Sequence, residues 1–499
     1  MTAEPLILAV DQGTSSTKCL LVDAAGTVVS RAAANVGVRY PQPGWVEQSA
    51  EEIWRSVVES VRACLAGHDP RRVVGVGLSN QRESALVWQR RTGEPIGPVL
   101  GWQDQRTVPA ARRLRARDVE AQIRARTGLP LDPMFSALKA QWLLDEYDPR
   151  RDRARRGELC LGTLDAWLIH RMTGTPRIEI GNASRTQLFD VFALGWAGEL
   201  LDLFEVPRPL LPEVVASAVD LGPVRLPGLP AGVPLRAVLG DSHAALFAHG
   251  AFTPGAVKAT YGTGTSVMGL VADATADSPG LCRTIAWQID RPAYAAEGNI
   301  RASGAVLVWL AGVLDTTPDQ ILRLADNADA GGTMLVPAFG GLGAPWWDDT
   351  AVAVLSGLSL GTGRAHLARA AVEAIAHQVC DVLEAFTGLA GQQVDCLFAD
   401  GGGSISDLLM QIQADLGRTP VLRASAPDGS ALGVAQLAGL GAGLWDLDSL
   451  ARQDRKRDLF QPSATATVTR QSRLAWREAV RRSSYHPSNR LSDDPSTTS

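Results

Sequence analysis

A duplicated α/β fold with a cleft between its two copies is what this sequence predicts. Three observations point there. Residues 6–23, LILAVDQGTSSTKCLLVD, read as an apolar strand, a tight polar turn and an apolar return strand. Residues 256–271, AVKATYGTGTSVMGLV, repeat that layout. Around both hairpins, apolar strand-like runs alternate with helix-like ones. At roughly 100–200 residues per domain, a chain of 499 residues holds two or three domains. The expected division is 1–248, 249–482 and a polar tail, 483–499, expected to be disordered.

In the first hairpin, Leu6, Ile7, Leu8, Ala9 and Val10 suit a strand buried on both faces. Asp11 ends that run and opens the turn DQGTSS. Gly13 lets backbone N–H groups approach an anion. Thr14, Ser15, Ser16 and Thr17 add hydroxyls, and Lys18 adds a positive charge. Asp11, at the end of a buried strand, is placed to hold a divalent cation directly or through water. The set suits the phosphates of a nucleotide with its Mg²⁺. Alone it suits a plain polar hairpin tip equally well, and the second turn, Gly262-Thr263-Gly264-Thr265-Ser266, tips the balance.

Further along, Ser49-Ala50-Glu51-Glu52 is a capping box, with Ile53, Val57, Val61 and Leu65 following at helical spacing. Residues 73–78, VVGVGL, form a strand running into SNQRES, and a second strand at 85–88 returns to the turn at Arg91-Thr92-Gly93. An Arg-rich helical region covers 108–126, and helices are expected at 139–147 and 163–172. A strand at 235–239 ends in Gly240-Asp241. In the second half, a helix at 303–314 and a long amphipathic helix at 365–386 precede a short strand, 397–399. That strand enters Asp400-Gly401-Gly402-Gly403-Ser404, and a helix follows at 407–416.

Composition excludes several classes. A net charge of −5 gives no general attraction to nucleic acid or to an anionic membrane. No apolar run reaches the roughly 18 residues of a membrane span, and no basic-then-apolar leader opens the chain. The six cysteines are scattered without a CxxC pair, which fits free thiols in a reducing cytoplasm. Lys is rare: of Lys18, Lys139, Lys258 and Lys456, the first three fall in or beside the glycine-rich or signature stretches. In a chain that favours Arg, such a Lys marks a place for a compact charge.

The stretches DQGTSSTK, SNQRES, MFSALKAQWLLDEY, GDSHAALFAHG, TYGTGTS, FGGLGAPWWD, SGLSLGTGRAHLARAAVEAIA and FADGGGS occur in this order. In that order they resemble the FGGY carbohydrate kinases over roughly residues 5–480. PQPGWVEQ, NQRE, RARRGELCLGTLDAWL, NASRT and GLGAPWWD are most similar to the glycerol kinase branch. The resemblance implies two ribonuclease-H-like domains of the actin/hexokinase/Hsp70 superfold. ATP with Mg²⁺ would meet a small polyol or sugar in the cleft between them. No GxxxxGK[ST] P-loop is present, as the resemblance requires.

The resemblance also implies roles. Asp241 is the general base, against the alternative of a helix N-cap, and His243 nearby is structural. Asp11 and Asp241 organise Mg²⁺. Thr14, Ser15, Ser16 and Lys18 face the phosphates from one domain, and Thr263 and Gly264 from the other. Adenosine lies against Gly401, Gly402 and Gly403 and against Gly304. Val308 and Ser406 stand where glycerol kinases tend to have Gln and Asn, which alters two nucleotide contacts. Arg82 and Glu83 hold substrate hydroxyls, and Trp102 gives an apolar wall. Met134, Ser242 and Ser266 replace two aromatic residues and a Gln, which enlarges the pocket beyond glycerol toward a C4–C5 polyol or ketose. A ketopentose kinase of the xylulose or ribulose type and a non-catalytic ATP/sugar sensor are the alternatives. A homo-oligomer is compatible with all of these.

Overall fold

The structure, a computed structural model, describes residues 4–273, 280–326, 328–390, 394–425 and 428–485. Two large sheets organise it. In the first, the order is Leu235–Gly240, Val73–Asn80, Leu6–Gln12, Ser16–Asp23, Val28–Asn35. The opening hairpin is antiparallel, and Leu6–Gln12 pairs in parallel with Val73–Asn80 on its other side. Such a central strand is covered on both faces, and Leu6 to Val10 are fully buried.

The second sheet repeats this core. Val421–Ala424, Cys396–Asp400, Ala256–Tyr261, Thr265–Leu270 and Pro292–Ile300 lie side by side with the same directions as the five strands above. Two further strands, Cys282–Gln288 and Arg457–Phe460, extend its edges. The duplication expected from two GT-rich hairpins is thus a duplication of a five-stranded sheet.

Two helices join the copies. Asp241–Ala248 leaves the edge strand of the first sheet, and Gly429–Gly441 packs directly on it. Their backbones meet so closely that a Cβ on Gly433 would sit 1.8 Å from the Ala244 carbonyl oxygen. One apolar cluster runs from Ile7 and Leu239 through Leu246 and Val434 to Phe398 and Met268, so the core is continuous between the sheets.

Several expectations need adjustment. The strand at Ala85–Gln89 does not return along Val73–Asn80. It pairs with Leu159–Thr163 in a separate four-stranded sheet. The Arg-rich region is two helices, Val108–Arg115 and Glu120–Thr127, broken where Asp118 takes a positive φ of 55°. The polar tail begins too early, because the helix Ala466–Ser483 reaches residue 483. Residues 486–499 lie outside the described residues. Of the capping box only the N-cap half is present: the Ser49 side chain accepts from Glu52 N, while the Glu52 carboxylate pairs with Arg39; Ile53, Val57, Val61 and Leu65 are buried as expected. Among the described residues, no helix is long and apolar enough to cross a membrane.

Candidate active site

Each GT turn is set by its own hairpin. In the first, Gly13 N donates to Ser16 O at 2.9 Å, which narrows the turn to Gly13, Thr14 and Ser15. Asp11 therefore lies within the strand, and Ser16 and Lys18 belong to the return strand. Strand alternation points Thr17 into the core, where its hydroxyl meets Ser56 at 2.6 Å. Lys18 lies 3.4 Å from Asp428, which also pairs with Arg31, instead of reaching into the cleft.

The second turn is braced from two sides. Ser303 N and Ala305 N donate to Thr263 O, and Gly304 N donates to Gly262 O at 2.9 Å. The first amides of the helix Gly304–Val313 are thus satisfied by the turn rather than by a side-chain cap. On the other side, Gly401 (φ 85°) approaches Tyr261 so closely that a Cβ would lie 2.5 Å from its carbonyl oxygen. The glycines expected near adenosine therefore flank this turn. Val308, one helical turn beyond Gly304, is 63% exposed. The Ser406 hydroxyl accepts from Leu409 N as a helix N-cap.

A cleft of about 480 Å³ opens between the turns. It is lined by Thr14, Ser15, Thr263 and Gly264, and by Arg82, Glu83, Trp102, Met134, Asp241, Ser242 and Ser266. Eleven of the predicted site residues thus meet in one cavity. Asp11, Ser16, Lys18, Gly304, Val308, Gly402 and Ser406 are not part of its lining.

Asp241 opens its helix as the first helical residue, with Gly240 as the cap, so the N-cap alternative does not apply. Its Oδ1 accepts from Ser242 N at 2.6 Å and lies 3.3 Å from Arg82 Nε. Its side chain is 38% exposed to the cleft. Burial raises its pKa, opposed by Arg82 and reinforced by Glu83. Asp11 is pushed up to about 6 by burial, with Asp241 adding to the effect and the Ser79 hydroxyl, 2.8 Å away, opposing it. Asp11 and Asp241 feel each other's charge, and two such carboxylates are a hard-oxygen donor pair that fits Mg²⁺, which takes one or two carboxylates plus phosphate oxygens and water.

Arg82 and Glu83 do not partner each other. Both Arg82 Nη atoms bind Glu297, at 2.6 and 3.0 Å, and Glu83 accepts from Arg185 Nε at 2.6 Å. Arg185 also pairs with Glu297 at 2.9 Å. Burial opposes the Glu297 charge, but Arg185 and Arg82 outweigh it and hold the carboxyl well below the usual range. Glu83 takes a φ of 61°, a strained conformation for a non-glycine residue, which places its carboxylate at the cleft. Trp102 does something the sequence did not suggest: its Nε1 donates to Thr14 Oγ1 at 3.1 Å and so fixes the first turn. His243 is fully buried and bonded to Thr284, and burial keeps its pKa well below the usual value, as a structural residue requires. Lys139 is buried and donates to the carbonyls of Pro133 and Met134, which fixes the loop carrying Met134.

Sequence reasoning missed Glu297 and Arg185. A single acidic residue inside the strand PAYAAEGNI was the available signal for one, and the Arg of NASRT for the other.

Comparison with known proteins agrees with this geometry. The model for the FGGY family of carbohydrate kinases, N-terminal domain, matches residues 6–248, and its C-terminal counterpart matches residues 257–442. The glycerol kinase of Geobacter sp. (strain M21) is 42% identical over 484 residues, which cover 95% of this chain and 98% of that protein. The crystal structure of Plasmodium falciparum glycerol kinase with ADP matches with a TM-score of 0.89 at 28% identity, covering 97% of this chain and 99% of that one. A ligand-bound xylulose kinase from Lactobacillus acidophilus matches with a TM-score of 0.86 at 22% identity, covering 98% and 99% of the two chains, a likeness of fold alone.

Proposed function

Since the chain belongs to the FGGY family of carbohydrate kinases, we propose that it transfers the γ-phosphoryl group of ATP to a terminal hydroxyl of a C4–C5 polyol or ketose, in preference to glycerol. The observation that carries the choice of acceptor is the wall around Asp241. Met134, Ser242 and Ser266 line it, and none of the three fills space as a ring would. The relatives named glycerol kinase favour glycerol as the second reading. A ketopentose acceptor falls within the first. A non-catalytic sensor is disfavoured because Asp241 and both turns line one cleft, and Asp11 stands just before the first turn.

The reaction needs an aligned hydroxyl, an acceptor for its proton and shielding of phosphate charge. Residues 1–248 supply the acceptor site and one phosphate turn, and residues 249–482 supply the other turn and the adenosine contacts. The Asp241 carboxylate takes the hydroxyl proton as the oxygen attacks the γ-phosphorus, and the bond to the β–γ bridging oxygen breaks to release ADP. Glu83 and Arg82 orient the acceptor, and Trp102 covers its carbons. Thr14, Ser15 and the backbone of Thr263 and Gly264 hold the phosphates. Asp11 and Asp241 would hold Mg²⁺, which shields phosphate charge when bound. Ser16, Lys18, Gly304, Val308, Gly402 and Ser406 remain nucleotide contacts in this proposal, Lys18 after leaving Asp428.

The test is ADP release with ATP and Mg²⁺ across C3–C6 polyols and ketoses. The highest kcat/KM is expected for a C4 or C5 compound. A single missing contact in a small pocket costs ~1–3 kcal/mol, about 10–200-fold in kcat/KM. Glycerol ranking first overturns the choice of acceptor. No ADP release with any compound favours the sensor.

A further inference from the structure

The strand Pro292–Ile300 carries polar residues that phosphoryl transfer does not use. Side chains alternate along a strand, so Glu297 and Asn299 share one face, and Arg301 continues the row past its end. Across the sheet Ser266 is the register partner of Asn299, and its hydroxyl donates to Glu297 at 2.9 Å. Asn299 and Arg301 line the cleft together with Ser266 and Met134. The Asn299 amide nitrogen is buried and has no hydrogen-bond partner. Buried donors are almost always paired, so this one calls for a partner that the protein itself does not supply.

The position is fixed from behind. The Asn299 carbonyl accepts from Ala344 N at 3.0 Å, and a Cβ on Gly343 would lie 2.2 Å from that oxygen. Arg301 is held by Asp132, Asp349 and the Gly340 carbonyl, at 3.0, 2.7 and 2.7 Å. Asp132 in turn accepts from Met134 N at 2.8 Å. The stretch FGGLGAPWWD thus braces one wall of the cleft. Two carboxylates neutralise Arg301, so the wall suits an uncharged ligand rather than an acid.

We propose that Asn299 donates to a hydroxyl or carbonyl oxygen at the far end of the acceptor and thereby sets acceptor length. This rests on the C4–C5 reading above. The test measures kcat/KM for C4, C5 and glycerol acceptors in wild type, Asn299→Ala and Asn299→Asp, with the KM for ATP and Tm confirming the fold. Asn299→Ala is expected to lower the ratio of longer acceptor to glycerol about 10–200-fold. Asn299→Asp exchanges the donor for a second acceptor oxygen, so it can still accept from a far hydroxyl but loses a far carbonyl, which separates polyol from ketose. An unchanged ratio in both variants overturns the assignment. A wild type that ranks glycerol first overturns the C4–C5 reading instead. The Asn299 contact is then decided by whether Asn299→Ala reorders the longer acceptors.

Discussion

The two sheets place the same pair of groups at the same point and use them oppositely. Beside the first turn, Asp11 lies on the hairpin strand and Ser79 is its register partner on the parallel neighbour. Beside the second, Thr260 lies on the hairpin strand and Asp400 is its partner on the neighbour. Carboxylate and hydroxyl have exchanged strands. Asp11 has a hydroxyl and little positive charge, so burial drives its pKa up to about 6. Burial works on Asp400 too, but His249 at 2.9 Å and the buried Lys258 outweigh it, and its pKa is lowered. One carboxylate is left without a strong cationic partner, and the other ties its half together. In the proposed function, the cation sits where the fold leaves a charge unsatisfied.

Removing the proposed proton acceptor breaks the comparison hardest. Asp241→Asn is expected to cut kcat by about 10²–10⁴, with ATP binding nearly intact by calorimetry. A near-normal kcat removes Asp241 from the role.

Exchanging the paired carboxylates for amides sharpens it. Asp400→Asn removes the carboxylate that bonds His249 and faces the buried Lys258, and losing a hydrogen bond to a charged group costs ~1.5–3 kcal/mol, read as a lower Tm. Asp11→Asn removes a charge the fold resists, so without Mg²⁺ its Tm at pH 8 should match or exceed that of wild type, while its Mg²⁺ requirement rises about 10–100-fold. The signs differ with pH. A raised carboxylate pKa means that protonation favours the fold, so any Tm gap between Asp11→Asn and wild type closes as pH falls through about 6. A lowered pKa means that the Asp400 contribution persists until pH nears the ordinary carboxylate value. Parallel Tm profiles for the two variants would contradict the contrast.

The smallest effect belongs to the pocket wall. Met134→Tyr with Ser266→Phe should raise the preference for glycerol over C4–C5 acceptors about tenfold or more. An unchanged ranking in the ADP-release panel counts against the wall as the selector.

Both hairpins and their turns were legible because each is a contiguous pattern: an apolar run, small residues, then a return; the place of Asp241 at the end of a buried strand was legible from the apolar run before it. The network of Arg82, Glu297, Arg185 and Glu83 was not, because its bonded pairs lie 102 to 215 positions apart and only folding brings them together. The same reason hid the pairing of Lys18 with Asp428, 410 positions on. Asn299 was hidden differently: an Asn near the end of a strand carries no signal until its neighbours are known to leave it unpaired.

The close seat of Gly433 on Ala244 also has a mechanical meaning. The helix bearing Asp241 belongs to the first half by sequence but is clasped by the second, and Ser430 Oγ bonds the Asp241 carbonyl at 3.0 Å. In a pair of shears, the points near the rivet barely travel while the blade tips sweep. If the halves swing about this clasp, the two GT turns sweep and Asp241 stays almost still. The proton acceptor then keeps its aim on the bound hydroxyl while the phosphates are carried toward it.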